Sequence, residues 1–215
     1  MAKKARNKTQ KKIDGIEINL PWYVWAAGIL IILGIVLWIT FSNMGTFVYK
    51  GLAFTKESYG KDLIIYHYAY NFVNRAGENV RYNMYIHTDP RKNSVPLDAD
   101  IKFDSYNVKL SVDAQALTNC SESRAAVGEL TQFIVFNDLN ISVGTPDLEQ
   151  ANKFNVSVMY CGTHRQDVMI LIKTGNQSRV YQQDKCYTIE VADCQVFAGV
   201  EKFMVEAVAQ AKEEI

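Results

Sequence analysis

The residues best equipped for chemistry in this 215-residue chain are its four cysteines, Cys120, Cys161, Cys186 and Cys194. Two chemistries compete for them. A free thiolate is a nucleophile; a pair of oxidised thiols is a covalent staple. Asn119 and Glu122 resemble a capping box, which places Cys120 in the first turn of a helix, where the dipole lowers a thiol pKa. A nucleophile there wants a nearby histidine, and His164, just after Cys161, is the only one in that half of the chain. Cys120 and Cys161 are therefore the candidate thiol nucleophiles. No two cysteines stand in a C-x-x-C spacing, which disfavours a thioredoxin-type pair or a zinc knuckle. An even number of cysteines outside the cytoplasm favours two disulfides.

Other chemistry leaves thinner traces. His67, His87 and His164 are scattered and give no metal-ligand spacing, so no metal or cofactor is expected. There is no G-x-S-x-G, P-loop, H-E-x-x-H, EF-hand loop or G-x-G-x-x-G. The turn Val143-Gly144-Thr145-Pro146-Asp147 leads from a strand to a helix and is a weak anion cradle. Asp89-Pro90-Arg91-Lys92-Asn93 sets two cations beside a carboxylate; it reads as a solvated turn before an anion site. Tyr66, Tyr68, Tyr70, Phe72 and Tyr82 form an aromatic face, expected to be the inner side of a sheet rather than a stacking platform for a sugar or peptide.

The segment placing these residues is the uncharged run Trp22–Phe41, long enough as a helix to cross roughly 30 Å of hydrocarbon. Trp22, Tyr23, Trp25 and Trp38 sit near its ends, as membrane-interface anchors do. Residues 1–21 carry six cations and two carboxylates, so the body is mildly acidic although the net charge is zero. The basic tail is expected in the cytoplasm and the body outside. An acidic body argues against nucleic acid as a partner. The rival reading, a signal peptide cleaved before Asn43, meets an apolar run longer than the usual signal core. All four cysteines and the sequons at Asn119, Asn140, Asn155 and Asn176 lie beyond the span, as an extracytoplasmic glycoprotein requires.

The expected fold is α+β. It comprises a basic tail (1–21), a transmembrane helix (22–42), a β-rich extracytoplasmic segment (43–113) and an α/β segment (114–215) ending in an amphipathic helix. In the first segment TFVYKGLAFTKE reads as one strand. DLIIYHYAYNF and VRYNMYIH alternate and form a hairpin, with Val80, Tyr82, Met84 and Ile86 inward. The second reads β–α–β–α–β–β–β–β–α. If CYTIEV is one strand, Cys186 and Cys194 lie too far apart to bond, a disulfide tolerating about 7 Å between Cα atoms. Cys161, ending FNVSVMY, would meet Cys186 on an antiparallel neighbour. Cys120 and Cys194 both precede helices that start at one sheet edge. The expected bridges are Cys161–Cys186 and Cys120–Cys194.

Asp89-Pro90-Arg91-Lys92-Asn93 with Val95-Pro96, Cys186-Tyr187-Thr188-Ile189, Ala192-Asp193-Cys194 and Glu201-Lys202-Phe203 resemble stretches of small single-span, N-terminally anchored proteins of reduced-genome (DPANN-type) archaea. The resemblance implies an archaeal envelope setting and no activity. The leading expectation is a membrane-anchored, non-enzymatic binding or assembly module whose partner is another membrane or envelope protein. The alternatives are a thiol-dependent enzyme or thiol–disulfide exchanger at Cys120 or Cys161, and a receptor for a small ligand.

Overall fold

Lys50 and Gly51 both take positive φ, 46° and 73°. Two consecutive residues of that kind make the tight turn that suits a twisted hairpin, so TFVYKGLAFTKE, expected as one strand, is divided between two. β1 (Thr46–Tyr49) folds back on β2 (Leu52–Tyr59). The structure, a computed structural model, describes residues 22–43, 45–60, 63–163 and 166–213, with first-helix side chains described over 24–38. The basic tail 1–21, the side chains of Trp22 and Tyr23, and His164 lie outside the described residues.

The chain divides into two compact units, Met1–Met44 and Gly45–Ile215. In the first, α1 (Trp22–Asn43) has no charged residue in its first or last turn. Its exposed side chains, Trp25 and Trp38 included, are apolar around the axis. Among the described residues no helix is long and apolar enough to cross a membrane; the described side chains of α1 fall short of the ~20 residues a span needs.

The second unit begins with a four-stranded antiparallel sheet, β1-β2-β3-β4, adding β3 (Leu63–Val73) and β4 (Asn79–Ile86). Tyr66 faces Ile86, Tyr68 faces Met84, Tyr70 faces Tyr82 and Phe72 faces Val80. The two alternating apolar sets thus share one face, and Tyr66, Tyr68, Met84 and Ile86 are buried.

A seven-stranded sheet follows. It contains β5 (Leu97–Asp98), β6 (Asn107–Val112), β7 (Asn140–Thr145), β8 (Ser157–Val158), β9 (Val168–Thr174), β10 (Arg179–Gln183) and β11 (Cys186–Val191) in the order β5-β10-β11-β9-β6-β7-β8. Only β10 against β11 is antiparallel. The boundary drawn at residue 113 therefore cuts this sheet, because β5 and β6 belong to it. From β6 on, the expected alternation of strands and helices is the one seen, with α2 (Ser123–Phe136), α3 (Leu148–Phe154) and α4 (Val196–Glu213). Parallel neighbours need such crossovers.

One apolar core runs from the small sheet through α2 and α4 to the large sheet. Tyr82 meets Phe133 of α2 edge-on at 5.9 Å, and Phe203 of α4 meets Tyr187 of β11 at 5.6 Å. α4 is consequently not a one-faced amphipathic helix. Val200, Phe203, Met204, Val205 and Ala207 are buried, and so are Glu201 and Glu206. A helix with a sheet on either side has little surface left for water.

Candidate functional site

Asp193 and Cys194 are consecutive left-handed residues, φ 49° and 58°, and they turn the chain from β11 into α4. That bend sets Cys194 beside Cys120, which lies in the turn before α2, and the two sulfurs are bonded. α2 begins only at Ser123, and its cap position, Glu122, makes no side-chain capping bond. The capping box at Asn119 and the helical first turn for Cys120 are therefore not seen. Cys161 is bonded to Cys186, the pair expected, but by another route. FNVSVMY contributes only the short β8, which pairs parallel with β7 at the far edge of the sheet. The segment after β8 returns across the sheet, pinned where Ser111 Oγ donates to the Met159 carbonyl at 2.6 Å. There Cys161 packs with Met159, Met169 and Leu171. Among the described residues no cysteine is free, so neither candidate nucleophile is a thiol in this state.

The aromatic face is interior, yet one end of it lines a cleft of about 400 Å³. Tyr68, Tyr70 and Phe72 of β3, Phe133 of α2, and Val208 and Ala211 of α4 form half of its wall. The polar groups of Tyr70, Asn137 and Lys212 have partners within the protein, which leaves Tyr68 Oη and the Asn71 amide to meet an occupant. Tyr70 Oη donates to Asn137 Oδ1 at 2.6 Å, Asn137 Nδ2 to the Phe133 carbonyl at 2.7 Å, and Lys212 Nζ to the Gly51 carbonyl at 2.8 Å. Burial pushes the Tyr70 hydroxyl far above its ordinary value, and that of Tyr82 up to about 12, so both stay neutral. An occupant meets apolar surface and few unsatisfied donors, the chemistry of a hydrophobic ligand.

Compared with known proteins, the chain matches no family model, no curated protein and no solved structure.

Two polar clusters surround the glutamates of α4. Glu206 accepts from Lys50 Nζ at 2.6 Å and pairs with Lys202 at 3.0 Å, and Tyr49 Oη donates to it at 3.3 Å. Glu201 accepts from the backbone N–H groups of His87 and Thr88, at 2.5 and 2.9 Å, and faces His87 Nδ1 at 3.1 Å. Glu129 of α2 approaches the same nitrogen at 3.5 Å. Burial pushes the Glu129 carboxyl up to about 7, and the hydrogen bond to Glu201 raises the His87 imidazole. In sequence His87 reads as one of three scattered histidines, and nothing there brings Glu129 or Glu201 to it. The one available signal was a pair of glutamates in a helix otherwise apolar on several faces.

At both weaker anion sites a carboxylate of the chain already holds the donors. Asp147 caps the seven-residue α3 by accepting from Gln150 N, so a carboxylate already occupies that helix start. Arg91 folds back on Asp89, with bonds of 3.0 and 2.7 Å, and lies 3.7 Å over the Phe47 ring. Asn119, Asn140, Asn155 and Asn176 are all exposed.

Proposed function

We propose that this protein is a membrane-anchored, non-enzymatic binding module of a cell envelope, with its body outside the cytoplasm and its ligand in the apolar cleft. The cleft carries the reading: about 400 Å³ of largely apolar space, where Tyr70 and Lys212 are internally bonded and only Tyr68 Oη and the Asn71 amide are left to meet a ligand. The anchor rests on the uncharged 22-residue α1 and the basic tail before it. Two disulfides and exposed sequons suit an oxidising exterior. The archaeal setting rests on the resemblance alone. An apolar segment of another envelope protein and a small lipidic ligand offer the cleft the same chemistry.

A photo-crosslinking residue in place of Ala211, irradiated in native membranes, separates them. An adduct of increased protein mass supports assembly, and a small hydrophobic adduct supports a receptor. Labelling no stronger than from the same group at Gln177, outside the cleft, rejects the site.

A second reading, thiol–disulfide exchange, is favoured by one observation. The Cys161–Cys186 bond borders a hollow of about 550 Å³. An incoming thiolate would attack Cys161 Sγ and release the Cys186 thiolate. Mixing the oxidised protein with a small dithiol tests it: selective reduction of this bridge under native conditions supports exchange, and resistance of both bridges rejects it.

A further inference from the structure

We propose that His87, Glu129 and Glu201 bind a divalent transition-metal ion of the zinc type. One donor atom from each lies within 4.8 Å of the other two. His87 Nδ1 stands 3.1 Å from Glu201 Oε1 and 3.5 Å from Glu129 Oε1. Zinc holds nitrogen and oxygen donors at about 2.0–2.2 Å, so donors around a tetrahedral ion stand roughly 3.4 Å apart. The two distances from Nδ1 thus fit edges of a tetrahedral face. The His87 side chain is 37 % exposed, which leaves a solvent side for a fourth ligand.

A second observation concerns the other carboxylate oxygen of Glu129, whose side chain is 26 % exposed overall. Glu129 Oε2 is buried and has no hydrogen-bond partner. A desolvated carboxylate oxygen without a donor is costly, and such an orphan calls for an unseen partner. The donor set selects among cations: an imidazole nitrogen with carboxylates suits zinc and its first-row neighbours, whereas calcium and magnesium take oxygen alone. Glu201 is already oriented by two backbone N–H groups, the outer support that metal ligands have. The competitor for the position is a proton on Nδ1. Binding moves that proton to Nε2 of a neutral ring or to solvent from an imidazolium, a proton on the Glu129 carboxyl leaves for solvent, and the Nδ1 lone pair passes to the metal.

His87 follows β4, Glu129 lies on α2 and Glu201 on α4. The ion would tie the small sheet to both helices, so binding must also stabilise the fold.

The test uses the untagged full chain in detergent, stripped with a chelator and titrated with Zn²⁺ against a chromophoric competitor. One zinc per chain and a raised unfolding temperature are expected. Glu129→Gln and His87→Gln should each weaken binding by more than the roughly 10- to 100-fold that losing an outer-shell partner costs. Glu57→Gln is the control, because Glu57 faces His67 at 3.1 Å in a separate pair, and it should bind as the parent does. Absence of saturable zinc, or unchanged binding in the folded Glu129→Gln protein, overturns the proposal. Cobalt(II) needs no variant: visible d–d bands of tetrahedral type support the site, and a spectrum matching free aqueous cobalt overturns it.

Discussion

Lys50 Nζ lies 2.6 Å from Glu206 Oε2 and so joins the first hairpin turn to the middle of a helix, although the two residues stand far apart in sequence. The carboxylate is fully buried and Lys50 is half exposed, while Lys202 beside it is 12 % exposed. Removing one partner of a buried pair leaves the other charge uncompensated, so Glu206→Gln should cost about 3 kcal/mol. Lys50→Met should cost only ~0–1 kcal/mol, since Lys50 is solvated and Lys202 still pairs. Urea denaturation of the three proteins checks the asymmetry, and equal losses would contradict it.

The same cluster sets a pH dependence. Burial by itself would raise the Glu206 carboxyl, but hydrogen bonds from Lys50 and Lys202 outweigh it and hold the group below its ordinary 4.5. A depressed carboxyl gives stability that is present above the unfolded value and lost as pH falls through the folded one. The gap between the parent and Glu206→Gln should therefore be full at pH 7 and shrink as the pH drops below about 4.5. A gap that widens on acidification would show that the carboxylate is not held in its charged form.

How much of this was legible varies by element. The β3–β4 hairpin could be read because its signal is local: a period of two, and a Gly77 turn between the strands. β1 and β2 were fused because Lys50 gives no hint of its positive φ, and glycine alone did not decide it. The stretch holding β6 reads locally as part of the first β-rich segment and β5 carries no strand signal, because their sheet membership depends on partners far along the chain. The cysteine pairs follow from strand length and helix starts, but Cys161 does not reach Cys186 from an antiparallel neighbour, since β8 pairs parallel with β7 at the far edge of the sheet. His87, Glu129 and Glu201 converge only when a sheet and two helices pack, and no spacing along the chain records that.

Each bridge makes a separate prediction. Chain entropy assigns about 4.4 kcal/mol to Cys120–Cys194 and about 3.5 kcal/mol to Cys161–Cys186, from separations of 74 and 25 residues. Double alanine variants should lose stability in that order, measured by denaturation without reductant. Alkylation of the native, oxidised protein should label none of the four sulfurs. Rapid labelling of Cys120 or Cys161 would instead favour a thiol enzyme.

Topology is tested by protease added to intact cells. The body should be digested and a fragment carrying 1–41 spared. Gln in place of all six tail cations should weaken that orientation, because Lys and Arg bias sets it. An epitope placed at Lys3–Lys12 that is destroyed from outside would reverse the assignment.

Gly128 and Gly144 should respond to alanine with opposite signs. Gly128 lies inside α2, and a Cβ there would meet nothing within 4 Å. Alanine in a helix interior is better than glycine by roughly 0.8–1.0 kcal/mol, so Gly128→Ala should stabilise by about that amount. Gly144 lies in β7, where β8 crosses closely: a Cβ would overlap the Ser157 carbonyl and stand 2.8 Å from Met159 Cγ. The carbonyl is backbone and cannot swing aside as a side chain would. Gly144→Ala must therefore push β8 outward, at a cost of roughly 1–3 kcal/mol. The displaced segment leads to Cys161, so amide hydrogen exchange should rise at Ser157–Met159 in Gly144→Ala and stay unchanged there in Gly128→Ala. If alanine at Gly144 leaves both stability and exchange as they were, β8 is not packed against β7 in the way its pairing requires.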